Sequence, residues 1–475
     1  MTKRDIVAGL RELGLIPGDK VLVHSSVAAV GPVEGGPEAV IDALLEAVGP
    51  EGLVVVPTFA SPRPFDRRSS PTGLGVLPDL FWRRPGAVRS LHPTHSVAAI
   101  GRGAEALLRG HEQAPTAYAE GTPYHALALT GGKILLLGVD QDRNTTLHAA
   151  EALAKAAYLK DITASYLDDV GQEVTIPVAA MAGPHRDFLG LDARFRAAGV
   201  MTTGRIGQAV CRLLDTGGML RVALEALRDD PAAVLCDNPA CRDCVRQRGQ
   251  IKAARLAEES FTLAAVAEDI SDDWAEMLLV LRGEGIAALE TGVDAYRRFE
   301  RGLAESGIHV SAIRGGLTEM EAAALARSLA VPLIVPVSTE ADLATATELA
   351  RGGTQVLLEN RGLPSKLLFA AYTASPETPG LAFNPGQFAA VGEHPFLSVF
   401  TQAHSRRHTR RFYVDDATWD GQPALPGRGN GEVKEIISML RCRSFDGAIA
   451  LRSHHKGVAA LREVAAAFWR LLDTM

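Results

Sequence analysis

The sequence predicts an α/β chain in two domains, the second a small (β/α)8 TIM barrel. Three observations lead there. Short aliphatic and β-branched runs alternate with stretches of helical periodicity along most of the 475 residues. That rhythm breaks over Pro231–Arg255, where CDNPACRDC is followed by the charged run VRQRGQIKAAR, and resumes at Leu263. Eight strand-like runs separated by helical patterns then fill the last ~215 residues, close to the lower size limit of such a barrel. The boundary falls at Leu256–Glu259, giving domains of residues 1–258 and 259–475.

In the first domain the buried-strand candidates are Lys20–His24, Leu53–Pro57, Ser96–Ile100 and Lys133–Val139, with a further strand at Val174–Ala179. Gly35–Val48 fits a helix opened by a Gly-Gly turn, and Thr146–Ala157 a second helix. In the second domain the candidates are Thr262–Ala267, Gly285–Glu290, Gly307–Ile313, Val331–Val337, Thr354–Glu359, Gly380–Phe383, Leu397–Gln402 and Gly447–Leu451.

The bulk numbers narrow the function. At 47% hydrophobic and 22% charged the composition is that of a soluble globular protein. The net charge is −7, divided as −1 before and −6 after Glu258, so neither half is a basic nucleic-acid binder. Met1–Gly18 has charges within its apolar spacing and does not read as a secretory signal, and no apolar run reaches the ~18 residues of a membrane span. Five cysteines without a signal point to a reducing, cytoplasmic setting.

Three segments of the first domain carry chemistry. In Val23–Val27 a strand ends in His24, Ser25 and Ser26, and Gly35-Gly36 opens a helix. Backbone N–H groups at such a start hold a phosphate or a pantetheine carbonyl, or simply form a capped turn. In RSLHPTHS, His92 and His95 flank a proline before a strand, where one lines a site or both bond to backbone. In GVDQDRNTTLHAAE a buried strand empties into a polar loop that becomes a helix. There Thr145, His148 and Glu151 are three apart and share a face, with Asn144 or Thr145 as N-cap. A neutral imidazole can take a proton from an amine attacking a thioester, a carboxylate can fix its tautomer, and a hydroxyl at a helix start can steady the oxyanion.

The strings HSSVAAVGPVEGG, RSLHPTHSVAAIG and GTPYHALALTGGKILLLGVDQDRNTTLHAAE resemble, in order and spacing, the aminoglycoside 3-N-acetyltransferase family. The resemblance implies the α/β antibiotic acetyltransferase fold and an N-acyltransferase using acetyl-CoA or an acyl carrier protein. It implies His148 as base, Glu151 as its supporting carboxylate and Thr145 as hydroxyl donor. Ser25, Ser26, Gly35 and Gly36 become the cofactor loop, with His92 and His95 near the thioester. The acceptor is an amine of a small molecule, an aminoglycoside or another amino sugar. Lys155 and Lys160, soon after the helix start, weigh against a strongly cationic one. A homodimer is compatible with this reading; a nucleic-acid or membrane partner is not expected.

Cys236, Cys241 and Cys244 lie within nine residues. A CxxC turn supplies two of the four ligands of structural zinc and Cys236 a third, with Cys211 or a remote His or Asp as the fourth. The alternative is a loop of reduced thiols.

In the second domain VLLENRG, LAFNPGQF and PGRGNGEVKEIISMLRCRSFDGAIAL are similar to the xylose isomerase-like sugar phosphate isomerase/epimerase barrels. The resemblance places a pocket at Glu359, Asn384, His404 and Arg452. Asn384 and Arg452 stand where those barrels carry Asp and Glu, so a divalent metal there is not expected. The barrel is then either an isomerase or a degenerate ligand-binding scaffold.

Overall fold

The computed structural model describes residues 1–60, 64–181, 183, 185–370 and 379–475. The chain divides into two compact units, Met1–Gln247 and Arg248–Met475. The division falls inside the continuous helix Arg242–Leu256. The sequence-based boundary at Leu256–Glu259 is the C-terminal end of that helix.

The first unit is built on β1 (Lys20–Ser25), β2 (Leu53–Pro57), β3 (Val88–Arg89), β4 (Val97–Gly101) and β5 (Lys133–Leu137), followed by β6 (Leu159–Leu167), β7 (Glu173–Met181), β8 (Met201–Ile206) and β9 (Ala209–Asp215). Seven of them form one sheet in the order β3-β4-β2-β1-β5-β9-β8, while β6 and β7 pair as a separate hairpin. At its centre β1 runs parallel to both β2 and β5. Side chains alternate between two buried faces: Val21, Val23, Leu135 and Leu137 pack into one core, and Leu22, Ile134 and Leu136 into the other. This is why these strands read as unbroken apolar runs. The helix Gly36–Val48 covers one face with Val40, Ile41, Leu44 and Val48.

The second unit contains β10 (Thr262–Val266), β11 (Ala288–Thr291), β12 (His309–Arg314), β13 (Leu333–Val337), β14 (Val356–Asn360), β15 (Gly380–Phe383), β16 (Thr409–Val414), the short β17 (Asp416–Ala417) and β18 (Pro423–Ala424), and β19 (Ala448–Leu451). β10 to β16 and β19 close into an eight-stranded barrel whose neighbouring pairs are all parallel. Its interior is narrow and lined by small residues, among them Ala264, Ala288, Ala312, Ala382 and Ala450. A larger apolar layer lies between strands and helices.

One expected strand is corrected. Leu397–Gln402 is not in the barrel; Pro395–Phe400 is a single π-helical turn. Pro395 starts it, and the Glu432 carboxylate accepts the N–H groups of Phe396 at 2.6 Å and Leu397 at 3.2 Å. The seventh barrel strand is β16, whose TRRFYV sequence hides a buried strand behind two arginines. Arg411 is 1% exposed and faces inward, 2.7 Å from Glu290.

Candidate active site

β5 leads through two 3-10 turns, Gln141–Arg143 and Thr145–Leu147, into the helix His148–Leu153. This helix is shorter than the expected Thr146–Ala157 and closes just before Lys155, which has a left-handed φ of 52°. Neither Asn144 nor Thr145 caps it with a side chain. Instead Asn144 Nδ2 donates to Gln141 Oε1 at 2.9 Å, and Gln141 donates onward to Asp192 at 3.0 Å. The loop is thereby braced against the segment 188–192.

The helix holds His148 Nδ1 2.6 Å from Glu151 Oε2. The other oxygen, Oε1, accepts from Tyr158 Oη at 2.8 Å and from Arg186 Nε at 2.5 Å. Burial pushes the Glu151 carboxyl up, but the hydrogen bond and charge of His148 and the Arg186 guanidinium outweigh it and hold it below the usual range. An ionised carboxylate on Nδ1 keeps the proton there and leaves the Nε2 lone pair free. The His148 side chain is 20% exposed while Glu151 is fully buried, so the imidazole alone reaches solvent. Its ring packs between Tyr118 at 4.9 Å and Phe188 at 5.1 Å.

Tyr118 links this pair to the second segment. Its hydroxyl lies 3.0 Å from His95 Nε2, and His95 Nδ1 is 2.9 Å from Thr94 Oγ1. His92 lies deeper: it stacks on His111 at 4.6 Å, and its Nδ1 accepts the backbone N–H of His95 at 3.1 Å. Burial lowers His92 to about 4, and His95 and His111 well below their ordinary value. These three are therefore neutral at physiological pH.

A cavity of about 390 Å³ opens at the ends of β1, β2 and β5, lined by His24, Ser25, Phe59, Asp142, Arg143 and Thr145 among others. It lies where β1 has parallel neighbours on both sides, outside their C-terminal ends, the usual ligand crevice of an open α/β sheet. Phe59, on its wall, packs edge-on against His95 at 4.4 Å. Ser25 Oγ and His24 Nε2 are buried there without a hydrogen-bond partner among the described residues. Ser26 leads into a four-residue helical turn, and Gly35 (φ 80°) and Gly36 (φ 64°) make the left-handed turn that opens Gly36–Val48. Sequence reasoning missed Tyr118, Tyr158, Arg186 and Phe188. The charged His185-Arg186-Asp187 tripeptide just beyond β7 was the available signal.

Cys236, Cys241 and Cys244 come together with His185, their donor atoms all within 4.8 Å of one another. Cys211 is elsewhere, buried in β9, where its thiol contacts the Ala209 carbonyl at 3.7 Å.

In the barrel, Glu359 accepts from Arg452 and Arg314, each at 2.7 Å, and from Asn384 Nδ2 at 3.2 Å. Arg314 also bonds Glu290 at 2.6 Å. His404 is corrected: it is exposed on the helix Ala403–His408, which leads into the N-terminal end of β16. The C-terminal end of that strand carries Asp415, which pairs with His454 at 2.6 Å and accepts from Asn384 at 2.8 Å.

A crevice at the ends of parallel strands and, on the helix after β5, a partly exposed imidazole backed by a buried carboxylate are features of an α/β enzyme. A family model described as aminoglycoside 3-N-acetyltransferase matches residues 22–228. Aminoglycoside N(3)-acetyltransferase IV of a Salmonella species is 35% identical over 237 residues, covering 49% of this chain and 90% of that protein. Aminoglycoside N(3)-acetyltransferase III of Enterobacter cloacae is 39% identical over 175 residues, 32% of this chain and 61% of that one. A crystal structure of the aminoglycoside acetyltransferase AAC(3)-IVa apoenzyme has 34% identity over 51% of this chain and 95% of its own, with a TM-score of 0.48. The chain belongs to the aminoglycoside 3-N-acetyltransferase family, and it is an N-acetyltransferase through its first unit. No helix among the described residues is long and apolar enough to cross a membrane.

Proposed function

We propose that the first unit transfers an acetyl group from acetyl-CoA to an amine of an aminoglycoside or related amino sugar, with His148 as general base. The observation that carries this is the 2.6 Å bond from His148 Nδ1 to the fully buried Glu151, with the imidazole itself 20% exposed. His148 Nε2 accepts the proton of the amine as its nitrogen attacks the thioester carbonyl carbon. Thr145 and the neighbouring N–H groups steady the oxyanion. The C–S bond then breaks, and the imidazolium returns the proton to the departing thiolate. The pantetheine arm enters the cavity lined by Ser25 and Thr145, where the Ser25 hydroxyl is free to bond it. Ser26, Gly35 and Gly36 form its phosphate end, and His92 and His95, kept neutral by burial, place no positive charge beside the thioester.

Release of free CoA from acetyl-CoA, measured with an aminoglycoside and amino-sugar panel, tests this. His148→Ala is expected to lower kcat about 10²–10⁴-fold, the usual worth of a general base. Unchanged turnover in that variant removes His148 from the role. Replacing acetyl-CoA with an acetylated carrier protein separates the two donors.

For the second unit we propose a xylose isomerase-like barrel that has become a ligand-binding scaffold. Glu359, the carboxylate such a barrel would offer a cation, is bonded to Arg314 and Arg452, which supply the positive charge instead. Chelator-sensitive isomerase activity on a sugar phosphate would overturn this.

A further inference from the structure

We propose that His185, Cys236, Cys241 and Cys244 bind one zinc ion, and that this site holds Arg186 in place against Glu151. Three ligands are close in sequence; the fourth comes from the loop after β7. His185 Nδ1 lies 3.3 Å from the Cys244 thiol and 3.5 Å from that of Cys241. With Zn–S near 2.3 Å and Zn–N near 2.0–2.1 Å, a tetrahedral site has S···N edges of about 3.5 Å. A single imidazole lone pair cannot serve two thiols at once, whereas one cation between them serves all four donors. Three sulfurs and one nitrogen form a soft, four-coordinate set that favours zinc and leaves no open position, which makes the site structural. On binding, each thiol gives up its proton, so the three thiolates and the neutral imidazole carry the dication with a net charge of −1.

The site reaches the chemistry through one residue. Arg186 follows His185 directly, and its side chain is 2% exposed. Its Nη1 donates to the His185 carbonyl at 2.7 Å and the Gly183 carbonyl at 3.3 Å, while Nε donates to Glu151 at 2.5 Å. On the far side the Asp187 N–H donates to the Val234 carbonyl at 2.8 Å, two residues before Cys236. The segment 185–187 is thus tied at both ends to the cysteine loop. Closing that loop with a metal removes most of its freedom to drift. Arg186 is a positioning residue, and this second clause rests on the His148–Glu151 reading; the metal site does not.

The test uses the full chain purified without a histidine tag. Elemental analysis is expected to find one zinc per chain, released to a colorimetric chelator as a mercurial blocks the thiols. Cobalt exchanged into the site should give thiolate-to-metal absorption that Cys244→Ser abolishes. Cys442→Ser, an exposed cysteine outside the cluster, should keep the metal. His185→Ala should lose zinc and lower kcat several-fold with little change in KM for acetyl-CoA, and His185→Cys should restore both. Wild-type protein that carries no zinc, takes up none when reduced and incubated with zinc sulfate, and reacts freely at all three thiols overturns the site. Zinc lost in His185→Ala with kcat unchanged overturns the positioning. Failure of the acetyltransferase reading would show as His148→Ala retaining turnover, whatever the zinc content.

Discussion

Glu151, fully buried, receives three donors on two oxygens, and each has a separable consequence. Its carboxyl is depressed below the ordinary 4.5 because His148 and Arg186 outweigh the burial that pushes it up. A carboxyl lower in the folded state than in the unfolded one stabilises above the ordinary range, and that stability is lost as pH falls through the folded value. Glu151→Gln should therefore flatten the acid side of the first unit's stability curve below about pH 4.5, measured by urea unfolding at a series of pH values. It should also lower kcat about 10²-fold or more, because an amide no longer selects the Nδ1–H tautomer. Equal kcat in the variant would show that the ring is oriented without the charge. His148 and Glu151 were legible because one helical turn separates them and the surrounding string is distinctive. Tyr158 and Arg186 were not: the hairpin β6–β7 brings them to Glu151, and nothing in local spacing records that approach. The same holds for His185 in the cysteine cluster.

At the scale of elements, the barrel interior combines an inner cluster rich in alanine with charged residues near several strand ends, and Arg411 is buried among them. β11 ends in Glu290 and Thr291, β12 in Arg314, β14 in Glu359 and Asn360, and β19 runs into Arg452. Glu290 is the hub. Burial raises its carboxyl, but Arg314 and Arg411, with the Tyr413 hydroxyl at 2.8 Å, bring it down to about 2. Its contribution is present above the ordinary 4.5 and is lost as pH falls toward 2, so the second unit should lose cooperative stability across that window. Glu290→Leu leaves Arg411 buried and unpaired, and should cost about 3–5 kcal/mol at neutral pH in chemical denaturation. A cost under about 1 kcal/mol would mean that water reaches the network. This pairing also explains the misread strand. Arginines at positions 410 and 411 make β16 look like a surface segment, because a single sequence does not show the carboxylate that waits for Arg411. Leu397–Gln402 reads as a strand, but Pro395 and the Glu432 cap turn Pro395–Phe400 into a helix. The other barrel strands, and the central strands of the first sheet, were legible because both of their faces are buried in apolar layers.

At the scale of the molecule, each unit has its own cores: two apolar layers flank the sheet of the first, and a layer around the strands and another inside them serve the second. A chain with separate cores should unfold in more than one step. The helix Arg242–Leu256 decides where it can be cut, since Cys244 lies in its first turn while its second half belongs to the other unit. A fragment of residues 1–258 keeps the whole sheet, the His148–Glu151 pair and all four donors of the His185 and cysteine cluster. It should fold, bind zinc and acetylate with a kcat close to that of the full chain. A fragment of residues 1–235 keeps the sheet and Val234 but none of the three clustered cysteines. It should bind no zinc and turn over more slowly, with KM for acetyl-CoA preserved. Calorimetry on the full chain separates the same contributions without cutting it: stripping zinc should lower the melting temperature of one transition and leave the other in place. If both transitions move together, or if the longer fragment is inactive, the barrel contributes to the fold of the acetyltransferase and its role is more than that of a tethered binding module.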